Sequence, residues 1–359
     1  MHIILKFKQK ITRIGAHWLT STWIATILVP HLFITGNMFF GSAAQAVPGQ
    51  GGKVETGERT GRGTIRIPVQ VEVGGQSWET GSRNDFRVFI NDQQMPVRNF
   101  SGPGSPTIFL VIFDTVDELS RVEQARTILA KQLRELPPNH WVGILRSQDG
   151  LRVIQEPTGD RDLLVGQIQT IQVNGKAGLL DTLQPVAGLA TGILSKSGAR
   201  VCVLYITDSA IGNYRADYLN PVINSSDAGD LSRRFSDRAV QEQMTRITLT
   251  LAKYTVPIFI LHLNYRSDSL NLAYQSGLER IAAGSGGRAV LCRTVDEIEP
   301  GLDSLLLRMK STYFLGADLP AKSKSTMRLR VEASLDGNGA EKVLHPLQVE
   351  RERGGGQRK

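Results

Sequence analysis

The sequence predicts an α/β fold, namely a doubly wound, mostly parallel sheet with helices on both faces and small flanking β segments. Three observations lead to this prediction. Residues 107–114 form a nearly continuous apolar run that ends on an acid, which is typical of a strand covered on both faces. Residues 118–136 then place apolar side chains every three or four positions, which indicates a helix. Apolar runs and helical stripes alternate further along the chain, and this favours parallel strands joined by right-handed crossovers.

The first 46 residues are predicted to be a signal peptide outside the fold. They contain four Lys or Arg residues and no acid, and an apolar stretch covers residues 18–40. Ala44-Gln45-Ala46 offers the small side chains that a signal peptidase accepts, so cleavage is expected after Ala46. An uncleaved membrane anchor is the alternative, because the apolar stretch approaches the roughly 20 residues that span a bilayer. In either case the protein is expected to be secreted or to lie in the periplasm or cell envelope.

Composition narrows the classes of partner. The chain has 359 residues, of which 41% are hydrophobic and 21% charged, as is ordinary for a globular protein. Half of the formal net charge of +8 comes from the first 46 residues. No basic stretch is interleaved with aromatic side chains, so a nucleic-acid partner is not predicted. Membrane contact is expected only if the N-terminal segment is kept.

The two cysteines are predicted to be buried thiols. Cys202 lies near the start of one predicted strand and Cys292 near the end of another. If these strands are parallel, the thiols lie at opposite edges of the sheet, whereas a disulfide needs Cα atoms within about 7 Å. Small buried apolar side chains are therefore the better interpretation.

A linker and a small β module are predicted before the main domain. Residues 47–63 are rich in glycine and polar residues, which is typical of a flexible linker. Residues 64–104 are assigned to an N-terminal β module. In it, residues 64–73 alternate between apolar and polar side chains, as in a half-buried strand. Further strands are predicted at 85–92 and 95–100.

Residues 105–311 are assigned to the main α/β domain. After the first helix, a strand is predicted at 141–147, and Asp149-Gly150 favours a turn into an antiparallel edge strand at 151–156. The other predicted elements are helices at 160–171, 179–194, 234–254, 270–283 and 296–309, and strands at 200–207, 256–262 and 287–292. A polar loop at 209–230 is longer than most connections in compact domains and is therefore a candidate for function.

Residues 312–350 are predicted to form a C-terminal β hairpin, and residues 351–359 a disordered basic tail. Strand-like patterns occur at 313–315, 327–334 and 343–349, with a turn at 336–339 between the last two. We expect this hairpin to pack with the N-terminal β module.

Three features resemble a known family. The lead-in Asp85-Phe86-Arg87-Val88-Phe89, with Asp92 and Phe100 after it, is similar to the family's "DFxVxxDG…F" segment. Asp114 and Asp208 each follow an apolar strand, and Tyr313-Phe314-Leu315-Gly316 precedes the closing strands. In their order and spacing these features resemble von Willebrand factor A-type domains, and more narrowly the exported "VWFA-related Acidobacterial domain" family. The resemblance covers nearly the whole chain after the signal peptide.

The resemblance implies a metal-ion-dependent adhesion site, in which Asp-x-Ser-x-Ser, a Thr and a later Asp hold a hard cation. Asp114 matches the first Asp and Asp208 the last. Val116 and Glu118 stand where the two serines are expected, and Ala177 where the threonine is expected. The site is therefore predicted to be degenerate, with Asp114, Glu118 and Asp208 as candidate ligands of Mg²⁺ or Ca²⁺. In the other interpretation, Glu118 opens the helix and the two aspartates hydrogen-bond neighbouring loops.

The predicted function is that of an exported, non-enzymatic binding or adhesion-type module. It would recognise a protein or cell-surface partner through the loops at the carboxyl ends of the sheet, where ligands of such folds bind. A hydrolase using Asp208, Ser209 and His262 is the alternative from another class, although no Gly-x-Ser-x-Gly elbow surrounds Ser209. A purely structural envelope protein is the third hypothesis.

Overall fold

A computed structural model describes residues 64–214, 228–320, 326–335, 338–339 and 342–350. The predicted signal peptide, the linker at 47–63, much of the 209–230 loop and the tail at 351–359 lie outside the described residues.

Five strands precede the central sheet: β1 (Thr64–Val73), β2 (Gln76–Ser77), β3 (Phe86–Ile90), β4 (Gln93–Met95) and β5 (Val97–Ser101). The α/β unit follows, and its elements are β6 (Thr107–Asp114), α1 (Leu119–Arg134), β7 (His140–Arg146), β8 (Arg152–Thr158), α2 (Arg161–Gln169), α3 (Leu179–Ser197), β9 (Arg200–Thr207), α4 (Ala228–Leu251), β10 (Ile258–His262), α5 (Ser269–Gly284), β11 (Ala289–Leu291) and α6 (Ile298–Ser311). The last strands are β12 (Tyr313–Asp318), β13 (Thr326–Leu335), β14 (Asn338–Gly339), β15 (Lys342–Leu344) and β16 (Gln348–Glu350).

The central sheet has the order β11-β10-β9-β6-β7-β8. All neighbours are parallel except β8, which runs antiparallel to β7 as predicted. Counted within the sheet, this order is 3-2-1-4-5-6, that of a doubly wound fold. Helix α1 contacts α2 and α6, and α4 contacts α3 and α5, so the helices form one layer on each face. The predicted fold class is confirmed.

The central strand β6 is the most enclosed element of the sheet. All eight of its residues are buried, because helices cover both faces and β7 and β9 pair with its two edges. The continuous apolar run of the sequence reflects this enclosure. The acid at its end, Asp114, is buried with it.

Strands from both ends of the chain form two antiparallel sheets, together called the β module here. In one sheet β12 lies between β1 and β5, and in the other β13 pairs with β3. The expected packing of the C-terminal strands on the N-terminal ones is present. A separate apolar core fills the module, and it includes Val69 and Val88 from the first half and Leu315 and Val331 from the second.

Two prolines divide strands that the sequence predicted to be continuous. Pro96 separates β4, which pairs with β3, from β5, which pairs with β12 in the other sheet. Pro346 lies between β15, which pairs with β1, and β16, which pairs with β13. Proline has no N–H to donate to a ladder, so each strand ends there and the chain crosses to the other sheet.

Two arginine side chains, Arg200 and the half-buried Arg66, join the β module to the α/β unit. The guanidinium of Arg200, at the start of β9, donates to the carbonyl oxygens of four residues on both sides of the junction: Pro103, Ser105, Lys310 and Thr312. Arg66 of β1 donates to the carbonyl oxygens of Leu194, in the last turn of α3, and of Gly198, directly after that helix. These bonds fix the orientation of the two units.

Cys202 and Cys292 are both free and buried. Within the described ranges, no helix combines the length and the apolar character needed to cross a membrane.

Candidate functional site

The carboxyl ends of β6, β7, β9 and β10 meet at one edge of the central sheet, called the carboxyl edge here. The strand order reverses between β6 and β9, where the crevice for ligands lies in doubly wound sheets. Asp114 ends β6 opposite Thr207 of β9, and Asp208 follows directly. The pairing of these strands therefore places the two predicted site aspartates side by side.

Protein donors occupy the Asp114 carboxylate completely. Its Oδ1 accepts hydrogen bonds from the Ser147 hydroxyl at 2.7 Å and the Gly178 N–H at 2.8 Å. Its Oδ2 accepts from the hydroxyls of Ser209 at 2.9 Å and Thr207 at 3.3 Å. Two donors at each oxygen use the lone pairs that a cation would need. Burial raises the pKa of this carboxyl group, and the hydrogen bonds from Gly178 and Ser147 oppose that rise.

The Asp208 carboxylate binds the turn between β6 and α1. It accepts the backbone N–H groups of Val116 at 2.7 Å, Asp117 at 2.9 Å and Glu118 at 2.6 Å. These N–H groups lie at the start of α1, where the helix dipole also favours a negative charge. Burial raises the pKa of Asp208, and the three N–H bonds oppose the rise. Asp208 thus connects the end of β9 to the beginning of the first helix.

The third predicted ligand, Glu118, turns towards another loop. One of its carboxylate oxygens accepts a hydrogen bond from the Asn264 amide at 3.0 Å, after β10. Val116 and Ala177 are 8% and 6% exposed, and both side chains belong to the apolar core of the α/β unit. Their positions therefore contribute packing where a metal-ion-dependent adhesion site would have hydroxyl ligands.

As arranged, these residues do not fit a bound cation. Asp114 and Asp208 are neighbours, but the oxygens of each are engaged by different donors, and Glu118 points to Asn264. In the described part of the chain, no group of three His, Cys, Asp or Glu side chains is placed to hold a metal ion. The degenerate site at Asp114, Glu118 and Asp208 stays a prediction, to be decided by titration with metal ions.

The predicted hydrolase residues lie close together without forming a catalytic relay. His262 is buried, and its Nε2–H donates to the backbone oxygen of Ser209 at 3.0 Å, not to the hydroxyl. Burial lowers the pKa of His262 to about 4, so the ring is a neutral structural donor near pH 7. The Ser209 hydroxyl donates to Asp114, and Asp208 binds the β6–α1 turn. Among the described residues, Ser209 and His262 therefore lack the nucleophile–base bond that activates a serine.

Several residues of this edge were missed by sequence reasoning. Ser147, Gly178 and Asn264 each supply a donor to a predicted site acid. The hydroxyls of Tyr214 and Tyr274 lie 2.8 Å apart and extend the buried polar network from Ser209. None of these residues belongs to a motif. The only available signal was Gly178, a glycine just before a predicted helix.

Comparisons with known proteins concern the fold. The sequence matches no family model and no curated protein. Solved structures similar to the chain include an aerotolerance-related membrane protein from Bacteroides fragilis, 12% identical over 56% of this chain and 98% of that one, with a TM-score of 0.36. The SpRpn10 VWA domain is 13% identical over 57% of this chain and 97% of its own, also with a TM-score of 0.36.

A von Willebrand factor type A protein from Catenulispora acidiphila covers 80% of this chain and 72% of its own, at 9% identity and a TM-score of 0.39. The fold is established by the strand order and helix layers described above, together with the single antiparallel edge strand. The chain has a von Willebrand A-like fold.

Proposed function

We propose that this protein is an exported, non-enzymatic binding module that recognises a protein or cell-surface partner through the loops of its carboxyl edge. Export rests on the predicted signal peptide at 1–46 and the predicted cleavage after Ala46. In this proposal the metal-ion-dependent adhesion site is degenerate, and the contact surface consists of loop side chains.

The division between buried and exposed groups at the carboxyl edge carries this proposal. Asp114 and Asp208 are fully buried, and their charges are met by hydrogen bonds within the protein. Above them, Asp117 and Lys176 are exposed and Leu119 is 57% exposed. A large apolar side chain beside exposed charges is suited to contact with another protein, whereas the buried acids are suited to holding the loops.

The partner surface can be tested with a matched pair of double variants. Leu119→Glu with Lys176→Glu changes the carboxyl edge, and Leu163→Glu with Lys196→Glu makes the same changes at exposed positions of α2 and α3. We expect cross-linking to envelope components to be lost with the first pair and kept with the second. Equal cross-linking by both variants and the unchanged protein would reject the carboxyl edge as the contact surface.

Metal independence is tested by calorimetric titration with Mg²⁺, Mn²⁺ and Ca²⁺. We expect no binding heat with the unchanged protein, because a cation would have to displace the donors that hold Asp114 and Asp208. Saturable heat that disappears in Asp114→Asn would instead establish a working metal site.

The hydrolase hypothesis has its own test, covalent labelling with a serine-directed phosphonate. We expect no labelling at Ser209, because its hydroxyl is buried and donates to Asp114. Labelling of Ser209 that is lost in Ser209→Ala would replace the binding-module proposal with an enzymatic one.

A further inference from the structure

A cavity of about 470 Å³ opens between α5 and the end of β11, away from the two buried aspartates. Ligand pockets in proteins usually enclose roughly 300 to 1,000 Å³. The lining combines apolar and charged side chains, and those used below are Tyr265, Leu272, Ser276, Glu279, Leu291 and Arg293. Neither Asp114 nor Asp208 lines it.

Hydrogen bonds hold the walls of this cavity in place. The Gln275 amide bonds both the N–H and the carbonyl of Arg266, each at 2.8 Å, which fixes the loop before α5. On the opposite wall, the backbone N–H of Arg293 donates to Glu297 at 2.7 Å, and its carbonyl accepts from Arg121 at 3.2 Å. A ligand would therefore meet walls that are already ordered, which lowers the entropic cost of binding.

Exposed charges of both signs line the cavity: the guanidinium of Arg293 and the carboxylates of Glu279 and Glu297. The Arg293 guanidinium lies over the Tyr265 ring, 4.9 Å from its centroid, an arrangement that orients its N–H groups. In the described part of the chain, no carboxylate pairs with that guanidinium. Within the same ranges, the Glu279 carboxylate and the Ser276 hydroxyl have no hydrogen-bond partner. Leu272, 40% exposed, and Leu291 supply apolar surface beside these groups.

We propose that this cavity binds a zwitterionic ligand, a free α-amino acid with an apolar side chain. The guanidinium of Arg293 suits a carboxylate, with which it forms paired hydrogen bonds, and the Glu279 carboxylate suits an ammonium group. An apolar side chain would rest against Leu272 and Leu291. Arg293 and Glu279 are exposed, so a ligand with a single charge would form one of these two ion pairs and leave the other protein charge in contact with water. The cavity lies among the loops that follow β10 and β11, at the same carboxyl edge, but the proposal does not rest on partner binding there.

Three probes test the proposal: leucine and two capped forms, each of which lacks one of the two charges of leucine. L-leucine carries both charges, L-leucinamide lacks the carboxylate, and N-acetyl-L-leucine lacks the ammonium group. Ligand-observed NMR titration of the full chain is expected to show leucine binding about three- to fivefold more tightly than either capped probe, the effect of one exposed ion pair. No saturable binding of leucine, or equal binding of all three probes, would overturn the proposal.

Charge-neutralising variants then assign the two ends of the ligand. Arg293→Gln is expected to abolish the advantage of leucine over leucinamide, and Glu279→Gln its advantage over N-acetyl-leucine. Arg280→Gln and Glu299→Gln remove the same charges at exposed positions outside the lining, and we expect them to keep both advantages. Equal losses in the controls would overturn the assignment, since they would indicate a general effect of net charge.

A third variant distinguishes a loss of ligand binding from a loss of folding. Leu272→Trp, at an exposed position of α5, narrows the cavity without removing a hydrogen bond and is expected to weaken leucine binding while the unfolding temperature is unchanged. Leucine binding of unchanged affinity in folded Leu272→Trp would place the ligand elsewhere and overturn the proposal.

Discussion

At the scale of single residues, Asp208 is the side chain on which the turn after β6 depends. Its carboxylate accepts three backbone N–H groups within 2.9 Å, and no other acceptor for them is present among the described residues. Asp208→Asn removes the charge and replaces one acceptor oxygen with a donor. We expect the free energy of unfolding to fall by about 2 to 4 kcal/mol, measured by urea denaturation.

Asp117→Asn is the matched control for that substitution. Asp117 is exposed, and its carboxylate bonds only the Asn213 amide in the described structure. The expected loss is below about 1 kcal/mol. If the two substitutions were equally costly, the special role of Asp208 would be contradicted.

His262 makes stability depend on pH at the same scale. Burial, the main cause, lowers its pKa from 6.5 to about 4 in the folded protein. Below pH 6.5 the imidazole of His262 is therefore protonated in the unfolded chain, whereas in the folded protein it stays neutral down to about pH 4. The contribution of this side chain to the free energy of unfolding is complete above pH 6.5 and falls as the pH drops through this window, by up to about 3 kcal/mol. Urea denaturation from pH 7 to 4 measures it. Because burial also lowers the pKa of His140 to about 4, His262→Gln should reduce the slope without removing it; an unchanged slope would refute the contribution of His262.

At the scale of elements, the loop before α3 must approach the end of β7 very closely. A Cβ at Gly178 would lie 1.9 Å from the carbonyl oxygen of Ser147, and the Gly178 N–H donates to Asp114. We expect Gly178→Ala to destabilise the protein by more than about 3 kcal/mol, because backbone would have to move. Gly166→Ala, in α2 with open space around it, should instead stabilise by about 0.5 to 1 kcal/mol. Similar values from denaturation of the two variants would contradict this.

The elements and the site were predictable to different degrees. Apolar runs such as 107–114 and 200–207 made the parallel strands predictable, because a strand that is buried on both faces has apolar side chains at nearly every position. The donors to Asp114 come from three separate segments of the chain, and no local pattern records such pairings. Pro96 alone did not predict the break between β4 and β5, because proline is also tolerated within strands at sheet edges.

At the scale of the whole molecule, the β module cannot form from one end of the chain, because β12 and β13 complete sheets begun by β1 and β3. Arg200, 0% exposed, ties the junction through four carbonyl oxygens. Arg200→Met should leave those carbonyls without their donor and cost about 3 to 5 kcal/mol. Arg98→Met, which removes an exposed pair with Asp318, should cost below about 1 kcal/mol.

This junction also predicts that the two units unfold together. Trp78 packs against Phe86 and Tyr313 in the β module, and every described α-helix belongs to the α/β unit. In a chain without residues 1–46 that carries Trp141→Phe, fluorescence reports Trp78 and far-ultraviolet circular dichroism reports the helices. We expect both signals to change at one urea concentration, as in a single cooperative transition. With Arg200→Met added, the Trp78 signal should change first, because the module loses its main attachment. Separate midpoints before that substitution would show that the module is an independent domain.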